Sequence, residues 1–362
     1  MPSGTQRCPP VTAIIVNFNG GPRTLRCIDA LTHQAHPVRD IVVVDNASTD
    51  GSVEEIGAKF PEIGILRQAE NLGLSKARNI GLHFAKTPLV LSVDSDVYLR
   101  PDALGSMLAA RAASGAAVVC PRIILYPDRT IIQCEGADPH YTGTFSLRNA
   151  YSTDLTDARG PVPVGGATGS CLLLDRSAAL EAGGFNELYF FYHEDLEFSL
   201  RMRALGLDIV CAPAAIVDHD QGEGTPGLSF RGRGEYPAHR AYLSMRNRLI
   251  TIGIHYRLRS IMILLPPLLL YEVGTFGMAI VRGWFPQYWR AWSDLIAERH
   301  VVMAHRRVMR TKRTRSDREL FTADDLAFGP GVMRRGPERM IATLIVWLMR
   351  AYWRLARPFL GH

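Results

Sequence analysis

The 362-residue sequence predicts an α/β protein: a Rossmann-like, mostly parallel sheet flanked by helices, followed by a helical, membrane-associating tail. Three observations predict it. Short β-branched runs alternate with helix-length amphipathic stretches from residue 11 to residue 99, the pattern of parallel βαβ units. Three of those runs end in polar Asn or Asp, and ligands of such sheets bind beyond the carboxyl ends of the strands. Beyond Arg257 the composition changes to long apolar and Arg-rich segments.

In order along the chain, "VTAIIVNFNG" (residues 11–20) is a buried strand ended by Asn and Gly. "GPRTLRCIDALTHQ" places Leu25, Ile28 and Leu31 on one helical face. "DIVVVD" is a second strand ending at Asp45, residues 52–59 read as a helix, and "IGILRQ" as a weak third strand. "LSKARNIGLHFAK" buries Leu74, Ala77, Ile80, Gly81 and Phe84, and "PLVLSVDSD" is the fourth strand. A helix to about Ser114 follows, then the strand-like "AAVVCPRIIL". Residues 126–162 are turn-rich and read as a loop suited to an acceptor wall or lid. "GGATGSCLLLDR" returns to strand, and "GGFNELYFFYHEDLEFSLRMRALG" leads into a helix ended by Gly206. The expected division is a catalytic domain over 10–255, with a nucleotide-binding half (10–100) and an acceptor-binding half (101–255), and a basic helical tail over 256–362.

Composition excludes several classes. With 47% hydrophobic residues and a net charge of +6, the chain is neither disordered nor polyanion-seeking throughout. The positive charge clusters between Arg282 and Arg318, and no nucleic-acid motif with aromatic platforms competes with an anionic membrane surface as its partner. Six scattered cysteines without a CxxC pair read as reduced, buried thiols. "MPSGTQRCPP" has no apolar signal core, so the first domain is expected on the cytoplasmic face of the cell membrane. "SIMILLPPLLLYEVGTFGMAIV" (260–281) approaches the span of a bilayer, but Pro266, Pro267 and Glu272 favour a kinked or in-plane segment. "ERMIATLIVWLMRAYWRLARPFL" adds Trp347, Trp353 and several Arg to an apolar face, as interfacial helices do. The tail is therefore expected to be removable without loss of the donor site.

The acids carry the chemistry. Asp94 and Asp96, one residue apart on an extended backbone, would project to one side and repel unless a cation or proton lies between them. Their readings are a turn or cap pair, a haloacid-dehalogenase-like phosphatase with Asp94 as nucleophile, or a divalent metal holding a diphosphate. The phosphatase reading is disfavoured by Tyr98, where that family wants Thr or Val. Asp45 is either an N-cap or a carboxylate accepting from a nucleotide's ring N–H or ribose hydroxyl. Gly73 permits close backbone approach, and Arg78 can reach a phosphate or base. In "FFYHEDLEF", His193, Glu194 and Asp195 open a helix beside an aromatic wall. The acids are either dipole-favoured helix starters or a general base. His219, at another strand end, is either structural or a metal ligand.

Taken in order, "IIVNFNG", "IVVVDNASTDGS", "NLGLSKARNIG", "VDSDV", "GGATGSCLLL", "GGFNELYFFYHEDLEFSLR" and "RNRL" resemble family 2 glycosyltransferases, especially the rhamnosyl- and galactofuranosyltransferase-like branch. The resemblance covers about residues 10–255. It implies the glycosyltransferase-A fold, a UDP- or dTDP-sugar donor, a Mn²⁺ or Mg²⁺ ion, inversion at the anomeric carbon, and a glycan or lipid-linked acceptor in envelope polysaccharide synthesis. Carried onto this sequence, Val16, Asn17, Asn19, Asp45, Asn46, Gly73, Arg78, Asp94 and Ser95 would bind the nucleotide sugar. Asp96, Asp94 and His219 would hold the metal, Asp195 with Glu194 would supply the base, and Gly165, Gly166 and His193 would meet the acceptor. One departure is "GGFNE", where Asn186 replaces the family's usual Asp. A catalytically silent sugar- or lipid-binding scaffold is the remaining alternative.

Overall fold

The computed structural model describes residues 9–156, 160–220, 237–324 and 336–361. Cys8 and the first eight residues, on which the expectation about a signal segment rests, lie outside them.

The chain opens as the hydrophobic periodicity predicts: β1 (Val11–Asn17), α1 (Gly21–Thr32), β2 (Asp40–Asp45), α2 (Ser52–Lys59), β3 (Gly64–Arg67), α3 (Leu74–Phe84) and β4 (Leu89–Asp94). Next come β5 (Val97–Leu99), α4 (Ala103–Ser114) and β6 (Val118–Leu125). The stretch read as a loop carries β7 (Ile132–Cys134) and a separate hairpin of β8 (Ala137–His140) and β9 (Thr144–Leu147). Its polar, turn-rich sequence hid strands of only three or four residues. Then follow β10 (Val162–Val164), β11 (Cys171–Asp175), α5 (Arg176–Glu181), α6 (Glu194–Ala204) and β12 (Ile209–His219). The remainder is helical: α7 (Ala238–His255), α8 (Leu258–Ile263), α9 (Leu265–Val281), α10 (Phe285–Ala297), α11 (Arg299–Lys312), α12 (Asp317–Leu320), α13 (Gly336–Ala356) and a 3-10 turn (Arg357–Leu360).

The main sheet runs β10-β12-β6-β11-β4-β1-β2-β3. β4, β1, β2 and β3 are parallel, as are β12 and β6, while β11 lies antiparallel between the two groups. Two antiparallel steps restore direction, so β12 points the same way as β4. The carboxyl ends of β1, β2, β4 and β12 therefore share one edge, and Asn17, Asp45, Asp94 and His219 occupy it. β12 is irregular between Ala212 and Ile216, and its far end pairs with β5, setting His219 opposite Val97.

Two cores matter for function. One fills the space between the sheet and α1, α2 and α4, with Ile15, Val43, Leu91 and Leu104 fully enclosed. The other joins Tyr141, Tyr189, Leu196 and Leu200 to Leu264, Leu268, Val302, Met309, Trp353 and Leu360 of the last hundred residues. The tail is thus continuous with the packing under α6, so its removal would expose that part of the core. Pro266 and Pro267 sit in the first turn of α9, where proline's missing N–H costs nothing, and the helix axis breaks at Leu264. Glu272, which argued against a straight span, accepts from Arg248 at 2.8 Å and from the Trp292 indole at 3.2 Å. Among the described residues no helix is long and apolar enough to cross a membrane.

Candidate active site

The two Asp residues are brought together by a turn. β4 stops at Asp94, residues 95 and 96 form a tight turn, and β5 leaves at Val97. This corrects the picture of both acids alternating along one strand, although Asp94, Ser95 and Asp96 do all face the cleft half-exposed. The backbone N–H of Asp220 donates to the Asp96 carbonyl at 2.8 Å, which holds the end of β12 against the turn. In consequence His219 Nε2 lies 3.5 Å from Asp96 Oδ1. Burial alone would raise the Asp96 carboxyl, but the His219 charge and hydrogen bond outweigh it and hold the carboxyl below its ordinary value. Asp94 goes the other way, raised by burial against the pull of Arg78.

A carboxylate and an imidazole at a strand edge form a donor set that suits Mn²⁺ or Mg²⁺ when phosphate oxygens complete the shell. Among the described residues no third His, Cys, Asp or Glu joins them in a metal-sized cluster. His219 Nδ1 lies 2.8 Å from Gln133 Oε1. An amide oxygen only accepts, so Nδ1 carries a proton, which leaves Nε2 as the ring nitrogen that faces Asp96. Gln133, on the short β7, was invisible to sequence reasoning because nothing in "IIQCEG" marks it as a partner of a residue 86 positions on.

Arg78 is placed differently from expectation. Its side chain is 1% exposed beneath the cleft, where it donates to Asp94 at 2.7 Å, Glu194 at 3.1 Å and the Gly169 carbonyl at 2.8 Å. It links the end of β4 to the start of α6 and does not reach toward a phosphate. A Cβ on Gly169 would lie 2.6 Å from the guanidinium, so only glycine fits there. Gly73 meets a neighbouring segment in the same way. At φ +81° it lets Leu74 N–H donate to the Phe190 carbonyl at 2.8 Å, and a Cβ would strike Phe190.

The start of α6 is strained. Tyr192 and His193 both have positive φ, +65° and +63°, immediately before Glu194 and Asp195. The side-chain amide of Asn247 on α7 secures this turn, donating to the carbonyls of Phe191 at 2.8 Å and Tyr192 at 2.7 Å. That explains the asparagine of "RNRL", a motif whose contact partners the sequence does not reveal. Asp195 accepts from the backbone N–H of Gly169 at 3.2 Å and of Leu196 at 2.8 Å, and burial raises its carboxyl. Burial, reinforced by the Asp195 charge, pushes Glu194 up to about 7. Burial also draws His193 down to about 4, with Arg248 adding to the effect, so its ring is neutral. His193 Nδ1 and Glu194 Oε2 are buried with no hydrogen-bond partner among the described residues.

At the other end of the edge, Asp45 is buried and accepts from Asn17 Nδ2 at 2.9 Å and Ser48 N at 3.2 Å. Each carboxylate oxygen has a second lone pair, so capacity remains for a ligand. Asn17 has no exposure and ties β1 to Asp45, Ser48, Ser52 and Thr24; it braces the pocket and does not line it. Val16 is likewise buried, whereas Asn19 is exposed at the mouth in a left-handed conformation. Asn46 pins the Asn71–Gly73 loop through Asn71 Oδ1, Leu72 N and the Gly73 carbonyl. Gly165 and Gly166 are close-packed: a Cβ would meet Asp138 and Pro139 at one, Phe145 and Ser199 at the other. They seat the β8–β9 hairpin, with Gly166 buried and Gly165 half-buried. Asn186 accepts from Leu188 N at 3.1 Å, a turn-forming role an Asp would share.

Residues 12–181 match the sequence model of the family described as Glycosyl transferase family 2. Over that stretch the chain is a family 2 glycosyltransferase. As a family 2 glycosyltransferase it transfers sugar from nucleotide-sugars, and the family is inverting. Over 234 residues it is 29% identical to the N-acetylglucosaminyl-diphospho-decaprenol L-rhamnosyltransferase of Mycobacterium tuberculosis, covering 59% of this chain and 76% of that protein. Its fold is shared with the mannosyltransferase PcManGT from Pyrobaculum calidifontis, solved with GDP-Man and Mn²⁺ (TM-score 0.50, 16% identity, 97% of this chain and 88% of that one). It is also shared with GalNAc-T7, solved with UDP, GalNAc and Mn²⁺ (TM-score 0.58, 12% identity, 81% of this chain). Of the GalNAc-T7 chain, this glycosyltransferase covers 57%.

Proposed function

We propose that this glycosyltransferase moves a hexose from a UDP- or dTDP-sugar, with inversion, to a lipid-linked glycan acceptor at the cytoplasmic face of a membrane, in envelope polysaccharide synthesis. The single observation that carries the site reading is the shared edge at which Asp45, Asp94, Asp96, His219 and Asp195 are gathered from β2, β4, β12 and α6. Residues 10–100 form the donor half and 101–255 the acceptor half. Asp45 accepts from the N–H of uracil or thymine, which offer it the same pairing edge, and Asn19 and Ser95 stand at the mouth where the ribose and diphosphate enter. Asp96 and His219 hold the divalent cation, whose chemistry there is to offset charge on the departing diphosphate. Asp195 takes the proton of the acceptor hydroxyl as that oxygen attacks the anomeric carbon from the face opposite the leaving group. Arg78 fixes the spacing between the donor-side Asp94 and the base helix, so both substrates are held in line.

The lipid-linked acceptor is supported by the mycobacterial relative, whose name specifies a decaprenol-linked acceptor. It is also supported by the tail's surface. Apart from Phe84, Tyr151 and Leu155, every large apolar side chain exposed among the described residues lies in 258–359, including Leu269, Val273, Val281, Trp289 and Trp347. A face of that extent beside arginines fits an anionic bilayer interface. Several arginines of the basic stretch turn inward, however: Arg306 donates to the Gly253 carbonyl, Arg313 to Asp317 and Arg315 to Asp208.

A thermal-shift screen of nucleotide sugars with and without Mn²⁺ tests the donor reading. The donor should raise the melting temperature by mass action, and only with the metal. In Asp96→Ala that metal-dependent shift should vanish while the apo melting temperature holds. A broad panel that neither shifts nor is hydrolysed would sink the reading.

A further inference from the structure

Between α7, α8 and α11 lies a cavity of about 420 Å³ lined by Arg257, Arg306, Arg310 and Arg313, with Ile254, Tyr256, Leu258 and Met309 as its apolar wall. It is remote in sequence from the donor-site motifs, and nothing in the sugar-transfer chemistry uses it. Its charge is unbalanced. Asp317 is the nearest acid, and both its oxygens are already engaged: Oδ1 by the Arg313 guanidinium, Oδ2 by the backbone N–H of Arg257 at 3.1 Å. Glu319 is folded into the α12 capping box with Ser316, and the buried Glu197 is paired with Arg201 and His255. The guanidiniums of Arg257 and Arg310 have no ion pair among the described residues. Burial, then the charge of Arg310, draws Arg306 below its ordinary pKa, a sign of cations crowded together.

Arg313 is spent on Asp317 and on the carbonyls of His255 and Arg315, and Arg306 gives one N–H to the Gly253 carbonyl, but Arg257, Arg310 and the rest of Arg306 leave a surplus of fork-shaped donors around the half-enclosed space. Phosphate is the anion that matches such donors, because its oxygens accept paired N–H groups. The rim indicates what carries the phosphate. Leu258 is 66% exposed at the cavity's lip, and Met262, Leu265 and Leu269 continue outward from it along α8 and α9, all exposed. A polar head in the cavity would leave an acyl chain lying on that apolar row.

We propose that the Arg257–Arg310 cavity is a binding site for a phosphate group, presented by the headgroup of an anionic membrane lipid. The inference rests on the membrane reading above and sharpens it: a discrete headgroup site in place of a diffuse basic surface. It also gives the enzyme a fixed orientation on the bilayer, since α7, which bears one wall of the cavity, bears Asn247 as well.

The test uses the full chain in flotation with vesicles of phosphatidylcholine alone or mixed with phosphatidylglycerol. Arg257→Gln/Arg310→Gln removes the two arginines without ion pairs; Arg299→Gln/Arg307→Gln removes equal charge from the same helical region outside the cavity. The cavity variant should lose the phosphatidylglycerol-dependent part of binding roughly tenfold, the control less than about threefold. Equal losses in both variants would mean a diffuse surface potential and overturn the proposal. A parallel thermal-shift titration with inorganic phosphate separates the sources. Stabilisation of wild type but not of the cavity variant, with lipid binding unchanged between them, keeps the phosphate site and overturns the lipid. Failure of wild type to float on either vesicle overturns the membrane reading itself, and the lipid source with it; the phosphate titration then decides the cavity alone.

Discussion

At the scale of single residues the decisive pair is Glu194 and Asp195. Asp195→Asn keeps the shape and one of the two backbone hydrogen bonds, which reach different carboxylate oxygens, but it cannot take a proton, so kcat should fall about 10²–10⁴-fold with donor affinity unchanged. A loss of only a few-fold would move the base to Glu194. The pair also sets the pH dependence. Both carboxyls are raised by burial, and Glu194, pushed up to about 7, shares the site with the Asp195 charge. Acidification through about 7 therefore protonates Glu194, and further proton uptake by the pair at lower pH should depress kcat, with apparent values that belong to the pair. Removing one negative neighbour stabilises ionisation of the other, so Glu194→Gln should move that limb to lower pH. A kcat–pH profile that does not move would deny the coupling. The stability sign is opposite. A raised folded pKa means the folded state binds the proton more tightly, so this contribution is present in acid and is lost as pH rises toward 7. Residue placements were legible where a side chain meets the cleft at a strand end, as with Asp96 and His219, which lie 3.5 Å apart. They were not legible for Arg78 and Asn17. A polar residue in a motif looks the same whether it touches ligand or braces the residues that do, and the difference is burial.

At the scale of elements, β1 to β4 and their helices were readable because alternating apolar periods of two and 3.6 leave little choice of fold. The β7–β9 region was not: strands of three or four residues carry too little period to stand out from turns. The contacts that set the start of α6 were also hidden, since they join α7 to a loop some fifty-five residues earlier. Asn247 supports an argument of its own. Two consecutive non-glycine residues with positive φ store strain, and two hydrogen bonds from one buried amide hold them. Asn247→Ala should relax that turn and displace Asp195. Transfer should slow by roughly tenfold or more, because small misplacements at a reacting centre are costly. Donor-induced thermal shifts should persist, since no donor-side residue contacts Asn247. Equal loss of donor binding and turnover would mean that the whole cleft, and not the turn alone, depends on this amide.

At the scale of the molecule the tail has two faces with different duties. Its inner face completes the core under α6: Trp353 stacks on Tyr141 with ring centroids 5.2 Å apart and planes 3° from parallel, and both are buried. Its outer face carries the exposed apolar row of α9. Truncation at Tyr256 would remove both faces at once and strip the packing from Leu196 and Leu200, so loss of membrane binding and loss of the catalytic helix would be confounded. Point substitutions separate them. Trp353→Ala should cost about 3–5 kcal/mol of stability, the range for deleting a buried aromatic, yet leave flotation intact at temperatures where the protein stays folded. Leu269→Ser/Val273→Ser, at positions 54% and 67% exposed, should leave the melting temperature and the Mn²⁺-dependent donor shift unchanged while weakening flotation roughly tenfold or more. Salt discriminates further. Raising ionic strength screens the arginines but not the apolar face, so high salt should reduce wild-type vesicle binding only in part, and should strip the Leu269→Ser/Val273→Ser variant completely. If that variant floats as well as wild type in high salt, the row through Leu269 and Val273 is not the membrane contact, and the assignment of this face fails.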